Sequence, residues 1–204
     1  MLDAAMRRLI DPPLNAAGRS LARAGAHPNT VTLWGLALGL SSAGLVALGA
    51  YWPALAVMLA SRLLDGLDGA VARARQITDF GGFLDITSDF LFYGAYPLAF
   101  IIADPGNNAI VGAFLLTTFY FNGTTFLAFA ALAERRALKS DKRGIKSLYF
   151  SGGLLEGTET IAFFTAITLW PAIFPPLAAA FAVLTLVTAV WRVIGAWRLF
   201  GASF

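Results

Sequence analysis

Two pairs of aspartates stand close together in this chain. Asp65 and Asp68 lie in Asp65-Gly66-Leu67-Asp68-Gly69-Ala70-Val71-Ala72-Arg73, and Asp85 and Asp89 lie in Gly81-Gly82-Phe83-Leu84-Asp85-Ile86-Thr87-Ser88-Asp89. Spacings of three and four put the members of each pair on one face of a helix. If the two segments are antiparallel helices joined by a short loop, four carboxylates turn toward one point. Oxygen donors without His or Cys suit Mg2+, Mn2+ or Ca2+ and argue against zinc. Gly69, directly after Asp68, leaves the backbone open to a bulky ligand. Arg73, one turn further on, carries a planar guanidinium suited to phosphate. Carboxylates, a divalent ion, a glycine gap and an arginine together suggest a nucleotide diphosphate as ligand. Loop-end carboxylates paired with Arg62, Arg73 and Arg75 would be the plainer account, but such pairing does not require this order of glycines and aspartates.

The elements that must hold these residues are apolar. Between Trp52 and Leu64 only Ser61 and Arg62 interrupt a hydrophobic run that leads into Asp65. A carboxylate at mid-bilayer costs ~2.5–3.5 kcal/mol on the insertion scale, so four deep and unpaired carboxylates would cost on the order of 10 kcal/mol. Bound divalent cations are the simplest way to neutralise them. The whole chain agrees with a membrane setting: of 204 residues, 58% are hydrophobic and 13% charged, with a mean hydropathy of +0.70, whereas a soluble domain is nearer half apolar and a quarter charged. The absence of cysteine excludes disulfides and thiolate metal sites. The net charge of +3 is small, and no nucleic-acid partner is expected.

Met6, Leu9, Ile10, Leu14, Ala17 and Leu21 fall on one side of a helical wheel, and Arg7, Arg8, Asp11, Asn15, Arg19 and Arg23 on the other. This pattern predicts an amphipathic interfacial helix within 1–27 rather than a cleavable signal peptide. Pro12-Pro13 is expected to break it into two pieces, and Gly25 and Pro28 to end it. Six apolar segments follow, near 31–50, 53–73, 82–103, 108–133, 154–173 and 177–200, each about long enough to cross ~30 Å of hydrocarbon. The expected fold is therefore an all-α integral membrane protein: one domain over 1–204, with a six-helix transmembrane bundle over 28–204. Lys and Arg gather at the N-terminus, the 73–81 and 134–146 links and the C-terminal end. By the positive-inside rule both termini and the aspartates then face the cytoplasm, at the inner membrane in a bacterium.

The pattern D-x-x-D-G-x-x-A-R, followed by G-x-x-x-D-x-x-x-D, resembles the signature of the CDP-alcohol phosphatidyltransferase family. Asp65, Asp68, Gly69, Ala72, Arg73, Gly81, Asp85 and Asp89 fill every named position. One departure is the spacer of seven residues between Arg73 and Gly81, one shorter than the family pattern. The six-span layout behind an amphipathic N-terminal helix is also similar to the family. The resemblance implies attack of an alcohol on the lipid-side phosphate of CDP-diacylglycerol, with release of CMP. It implies that Asp65, Asp68 and Asp85 hold one or two Mg2+ or Mn2+ ions, and that Asp89 is the general base and also touches the second metal. It further implies that Gly69, Arg73, Thr78 and Gly81 meet the CDP moiety, that Asn29 and Thr32 form a second nucleotide-contacting element, and that the protein is a homodimer.

The acceptor is the least legible part. Glu156 and Glu159 share a helical face at the start of the fifth span and could hold a hydroxyl-rich or cationic head group. Lys142 and Lys146 in the preceding loop could instead attract a phosphorylated alcohol. Carboxylates in low dielectric act further than screened loop charges, so the sequence leans toward an uncharged or amine-bearing alcohol. Two alternatives stand beside the main reading. A CDP-aminoalcohol transferring to diacylglycerol would use the same aspartates, and a divalent-cation transporter would use them as an ion site. A transporter has no use for Gly69 and Arg73 at these spacings.

Overall fold

The computed structural model describes residues 3–136 and 157–201. Among the described residues the protein is all-helical: α1 (Asp3–Arg23), α2 (Pro28–Ala47), α3 (Tyr51–Ala74), α4 (Asp79–Ala103), α5 (Pro105–Arg135), α6 (Gly157–Leu169) and α7 (Phe174–Phe200), with a 3-10 turn at Pro171–Ile173 before α7. Four of these are long and apolar enough to cross a membrane: α2, α4, α5, and α7 with its preceding turn. The expected span at 53–73 is present as α3, but Arg62, Asp65, Asp68 and Arg73 make it less apolar than the others. The expected span at 154–173 coincides with the shorter α6 over the described residues.

The expected break at Pro12-Pro13 does not occur, and α1 runs through both prolines. Their missing N–H groups leave the carbonyls of Arg8 and Leu9 without helical partners, but both residues are exposed, so solvent can serve them. Packing against α3 holds the helix together. At Gly18 a Cβ would lie 2.6 Å from Cβ of Ala70, and at Gly66 a Cβ would lie 2.9 Å from a methyl of Leu14. As expected, α1 stops at Gly25. Gly25 (φ 91°) and Gly49 (φ 74°) take left-handed conformations that reverse the chain after α1 and α2. Each is followed by a residue whose N–H reaches back to the last turn, Ala26 to Leu21 at 3.0 Å and Ala50 to Leu45 at 2.9 Å.

The centre of the molecule is α2 against α3 and α4. Gly35, Gly39, Ser42, Ala43 and Val46 form a buried stripe of mostly small residues on α2. The Ser61 hydroxyl of α3 donates to the Gly35 carbonyl at 2.7 Å, and Ser42 donates to the Ala54 carbonyl at 2.7 Å. Removing side chains lets the backbones approach closely enough for these bonds, a common device between membrane helices. Toward the end remote from the 75–78 loop, α4, α6 and α7 share an aromatic core of Phe92, Tyr96, Phe100, Phe164 and Phe174. Phe100 stacks on Phe174 with centroids 4.9 Å apart, and the Tyr96 hydroxyl bonds to that of Thr168 at 2.9 Å. α5 packs between α4 and α7. Much of the outer surface is apolar, including Trp34, Trp52, Ile110, Trp191 and Trp197.

The α2 stripe yields a stability test. A Cβ on Gly39 would lie 2.8 Å from Cδ2 of the fully buried Phe92 and 3.0 Å from Ser61 Oγ, whereas nothing lies within 4 Å of one on Gly44. Thermal melts in detergent are expected to show Gly39→Val destabilised by about 1–3 kcal/mol. Gly44→Val is expected to stay near the parent.

Candidate active site

The loop between α3 and α4 is short because α4 is capped at once. Thr78 is its N-cap, and the hydroxyl accepts from the Gly81 N–H at 3.0 Å. The two helices therefore form the expected antiparallel hairpin, with Asp65 and Asp68 on the last turns of α3 and Asp85 and Asp89 on the early turns of α4. Carboxylate oxygens of Asp65, Asp68 and Asp85 come within 4.8 Å of one another. Asp68 is buried, with 4% exposure, and its Oδ2 has no hydrogen-bond partner. A buried carboxylate oxygen left bare among two other carboxylates is what a cation site requires. The donor set is all oxygen, so these residues fit Mg2+ or Mn2+.

Asp89 is not in that trio. Its Oδ1 accepts from Arg62 Nη1 at 2.9 Å, while the same nitrogen lies 3.5 Å from Oδ1 of Asp65. The Arg62 side chain is only 8% exposed, and its Cζ sits 4.1 Å from the centroid of the Phe92 ring. The structure thus divides four carboxylates that look equivalent in sequence.

Next to the trio, a cleft of ≈ 180 Å³ is lined by Asn29, Thr32, Gly69, Arg73, Thr78 and Gly81, together with Asp68 and Asp85. All six residues expected to meet the CDP moiety therefore share one wall-and-floor arrangement with two of the carboxylates. At Gly81 a Cβ would press on Asn29 Oδ1 at 3.3 Å and Thr78 Oγ1 at 3.0 Å. At Gly69 a Cβ would stand 3.4 Å from Nη1 of Arg73 and would narrow the space in front of the guanidinium.

Some contributors were not foreseen. Asn15 of α1 accepts from Nε and Nη2 of Arg73 at 3.1 and 2.9 Å, which fixes the guanidinium at the cleft. The sequence signal was only a polar residue on the basic face of α1. Arg75 donates to the carbonyls of Gly25 and Ala26 at 3.0 and 2.7 Å and ties the end of α1 to the end of α3. Gln76 and Ile77 also line the cleft.

The acceptor residues are less complete. Glu159 lies half-buried in the first turn of α6, whereas Glu156, Lys142 and Lys146 lie outside the described residues. Arg192 of α7, half-buried, donates to the Asn122 carbonyl, Asn122 Oδ1 and Thr125 Oγ1, each at 2.9 Å.

The family model "CDP-alcohol phosphatidyltransferase" matches residues 26–191. The inner membrane protein YnjF of Escherichia coli is 47% identical over 193 residues, covering 95% of this chain and 94% of that one. A phosphatidylinositol phosphate synthase of Mycobacteroides abscessus is 33% identical over 153 residues, covering 72% of this chain and 64% of that one. Among solved structures, Mycobacterium tuberculosis phosphatidylinositol phosphate synthase (PgsA1) with CDP-DAG bound superposes with a TM-score of 0.72. It is 26% identical, and the match covers 90% of this chain and 93% of that one. The same protein in complex with manganese and citrate also gives a TM-score of 0.72. On the family match and the complete aspartate signature, this chain belongs to the CDP-alcohol phosphatidyltransferase family.

Proposed function

We propose that this enzyme transfers a phosphatidyl group from CDP-diacylglycerol to a polyol acceptor and releases CMP. The observation that carries the proposal is the single cleft that joins Asn29, Thr32, Gly69, Arg73, Thr78 and Gly81 to Asp68 and Asp85. The cleft opens beside a three-carboxylate site. A related structure with CDP-DAG bound and another with manganese support the same assignment. Asp65, Asp68 and Asp85 would hold one or two Mg2+ or Mn2+ ions. Bound there, the metal would neutralise charge on the diphosphate and on the departing CMP. Arg73, held by Asn15, presents its guanidinium to the phosphates, and Gly69 and Gly81 let the nucleotide approach the backbone.

Asp89 takes the proton from the acceptor hydroxyl. The hydroxyl oxygen forms the new bond to the lipid-side phosphorus as the bond to the CMP oxygen breaks. Relatives named for phosphatidylinositol phosphate and archaetidylinositol phosphate point to an acceptor bearing a phosphate. That weighs against the uncharged acceptor favoured by Glu156 and Glu159. In this reading the chain is one domain over 1–204: α1 lies in the interface, six helices span the bilayer, the site faces the cytoplasm, and two copies form a homodimer. The exposed apolar surface and the basic Arg19, Arg23 and Arg75 at the site's end of the molecule support that placement. The cation-transporter alternative falls away with the family assignment.

CMP release from CDP-diacylglycerol, measured over a panel of alcohols and their phosphates, tests the proposal. Asp65→Asn and Asp85→Asn are expected to lower turnover at least about 100-fold while the protein stays folded in the membrane. Turnover within a few fold of the parent would remove these residues from the metal site. Asp89→Asn is expected to retain CDP-diacylglycerol binding and lose turnover, because a base acts only on the bound acceptor. A binding loss as deep as that of Asp65→Asn would make Asp89 a metal ligand instead. Faster release with serine or glycerol than with a phosphorylated polyol would overturn the acceptor assignment.

A further inference from the structure

We propose that the ends of α1 and α3 form an anion site that takes the headgroup phosphate of an acidic glycerophospholipid from the surrounding leaflet. The site goes beyond the transfer reaction and shares with it only the interfacial placement of α1.

A second cavity, larger than the cleft at ≈ 490 Å³, is lined by Arg19, Ala22, Arg23, Ala74 and Arg75. It shares no lining residue with the cleft. Arg19 and Arg23 are four apart and share a face of α1. Asn15, one turn earlier on that face, is the residue that grips Arg73. Arg75 enters from the end of α3, two residues after Arg73. Three guanidiniums therefore meet at one opening, and no carboxylate lines it. Among the described residues none of the three is ion-paired. Their other bonds are few and local. Arg23 donates at 3.4 Å to the Arg19 carbonyl and at 3.4 Å to Ser20 Oγ. Arg75 spends Nη1 on the carbonyls of Gly25 and Ala26, which leaves Nη2 and Nε for a ligand.

Like charges four apart on a helix repel, and a third guanidinium at the same cavity adds to that cost. A bound anion offsets it. Each guanidinium fork matches two oxygens of a phosphate, so the three arginines can grip one phosphate group from two helices at once. Charge complementarity thus selects a phosphate, and the surroundings select a lipid to carry it. Met6, Leu9 and Ile10 are exposed on α1, Leu9 by 73%, and an amphipathic helix with such a face rests in the headgroup layer. Ala22 and Ala74 lie among the arginines and give the glycerol end of a lipid an apolar seat. For a soluble anion these exposed charges are screened over about 8 Å by salt. An acidic leaflet instead holds its phosphates at the surface where α1 lies, and each arginine there strengthens attraction about fivefold. A lipid held between Arg19, Arg23 and Arg75 also ties α1 to α3, so its binding stabilises the folded protein.

Lipid-dependent thermal stability tests the site. The full chain, purified in a neutral detergent, would be melted with increasing dioctanoyl-phosphatidylglycerol, dioctanoyl-phosphatidylcholine or inorganic phosphate. Phosphatidylglycerol is expected to raise the melting midpoint, and the other two to leave it nearly unchanged. Arg19→Gln/Arg23→Gln is expected to weaken the phosphatidylglycerol affinity read from the titration about 30-fold, about fivefold for each arginine. Equal stabilisation by phosphatidylcholine, or parental affinity in the variant, would overturn the proposal. Stabilisation by inorganic phosphate as strong as by the lipid would overturn it in favour of a soluble anion. Arg23→Gln alone serves if the double variant does not fold, with a loss of about fivefold expected and parental affinity again overturning the proposal. Two further measurements separate this site from the active site. The phosphatidylglycerol shift is expected to persist in Asp65→Asn, and its loss there would place the lipid at the metal. KM for CDP-diacylglycerol in Arg19→Gln/Arg23→Gln is expected to stay within about threefold of the parent. A larger rise would make these arginines part of the donor site and overturn the proposal. The readout is lipid binding, so it judges the site whichever acceptor the enzyme uses.

Discussion

The Arg62 guanidinium, wedged between Asp89, Asp65 and the Phe92 ring, is the contact around which α2, α3 and α4 are arranged. Several carboxylates in an apolar bundle repel one another and lose their hydration, and a guanidinium beside them offsets both effects. Seating that cation needs room for an aromatic ring beneath it and a polar anchor at its side. Gly39 leaves the space for Phe92, and Ser61 supplies the anchor while tying α3 to the backbone of α2 at Gly35. The small residues of α2 therefore serve the site as much as the fold. Van der Waals contact and hydrogen bonds do the work between such helices, since lipid offers no hydrophobic drive for their association.

A second layer of order comes from α1. A long arginine at a cleft would lose rotamer freedom on binding phosphate, and that loss weakens binding. Arg73 is already held by Asn15, and Arg75 already ties the ends of α1 and α3 together through the carbonyls of Gly25 and Ala26. This side of the cleft is thus held in place by contacts within the chain. The close packing of Gly18 on Ala70 sets the height of α1 over α3 and brings Asn15 within reach of Arg73. The amphipathic helix α1 thus buttresses the cleft from behind, through Arg73.

The superposition on a solved relative at 26% identity and a TM-score of 0.72 fits this division of labour. Residues that line the cleft come from α2, α3, α4 and the loop between them, a compact unit tied by short links and helix caps. The rest of the bundle is α5, α6 and α7, where Glu159 and Arg192 stand on different helices. A fold of this kind can keep one donor chemistry and vary the alcohol by changing polar residues on the second half of the bundle.

Much of the fold was legible in the sequence because apolar length and turn residues are local properties. The all-helical class, the helix end at Gly25 and the hairpin carrying the aspartates follow from short-range rules. The membership of the cleft was legible only through the resemblance to the family signature, since its residues come from α2, α3, α4 and the loop between them. Local rules failed at Pro12-Pro13, where packing of α1 on α3 overrides a break that propensity alone predicts. They were silent on Asn15 and Arg73, which are far apart in sequence and meet only after α1 folds back. Above all, four aspartates at helical spacing look alike in a sequence. Which three converge, and which one is drawn aside, depends on a guanidinium reaching from α3 to α4 across a gap that only the packing of α2 against both helices defines.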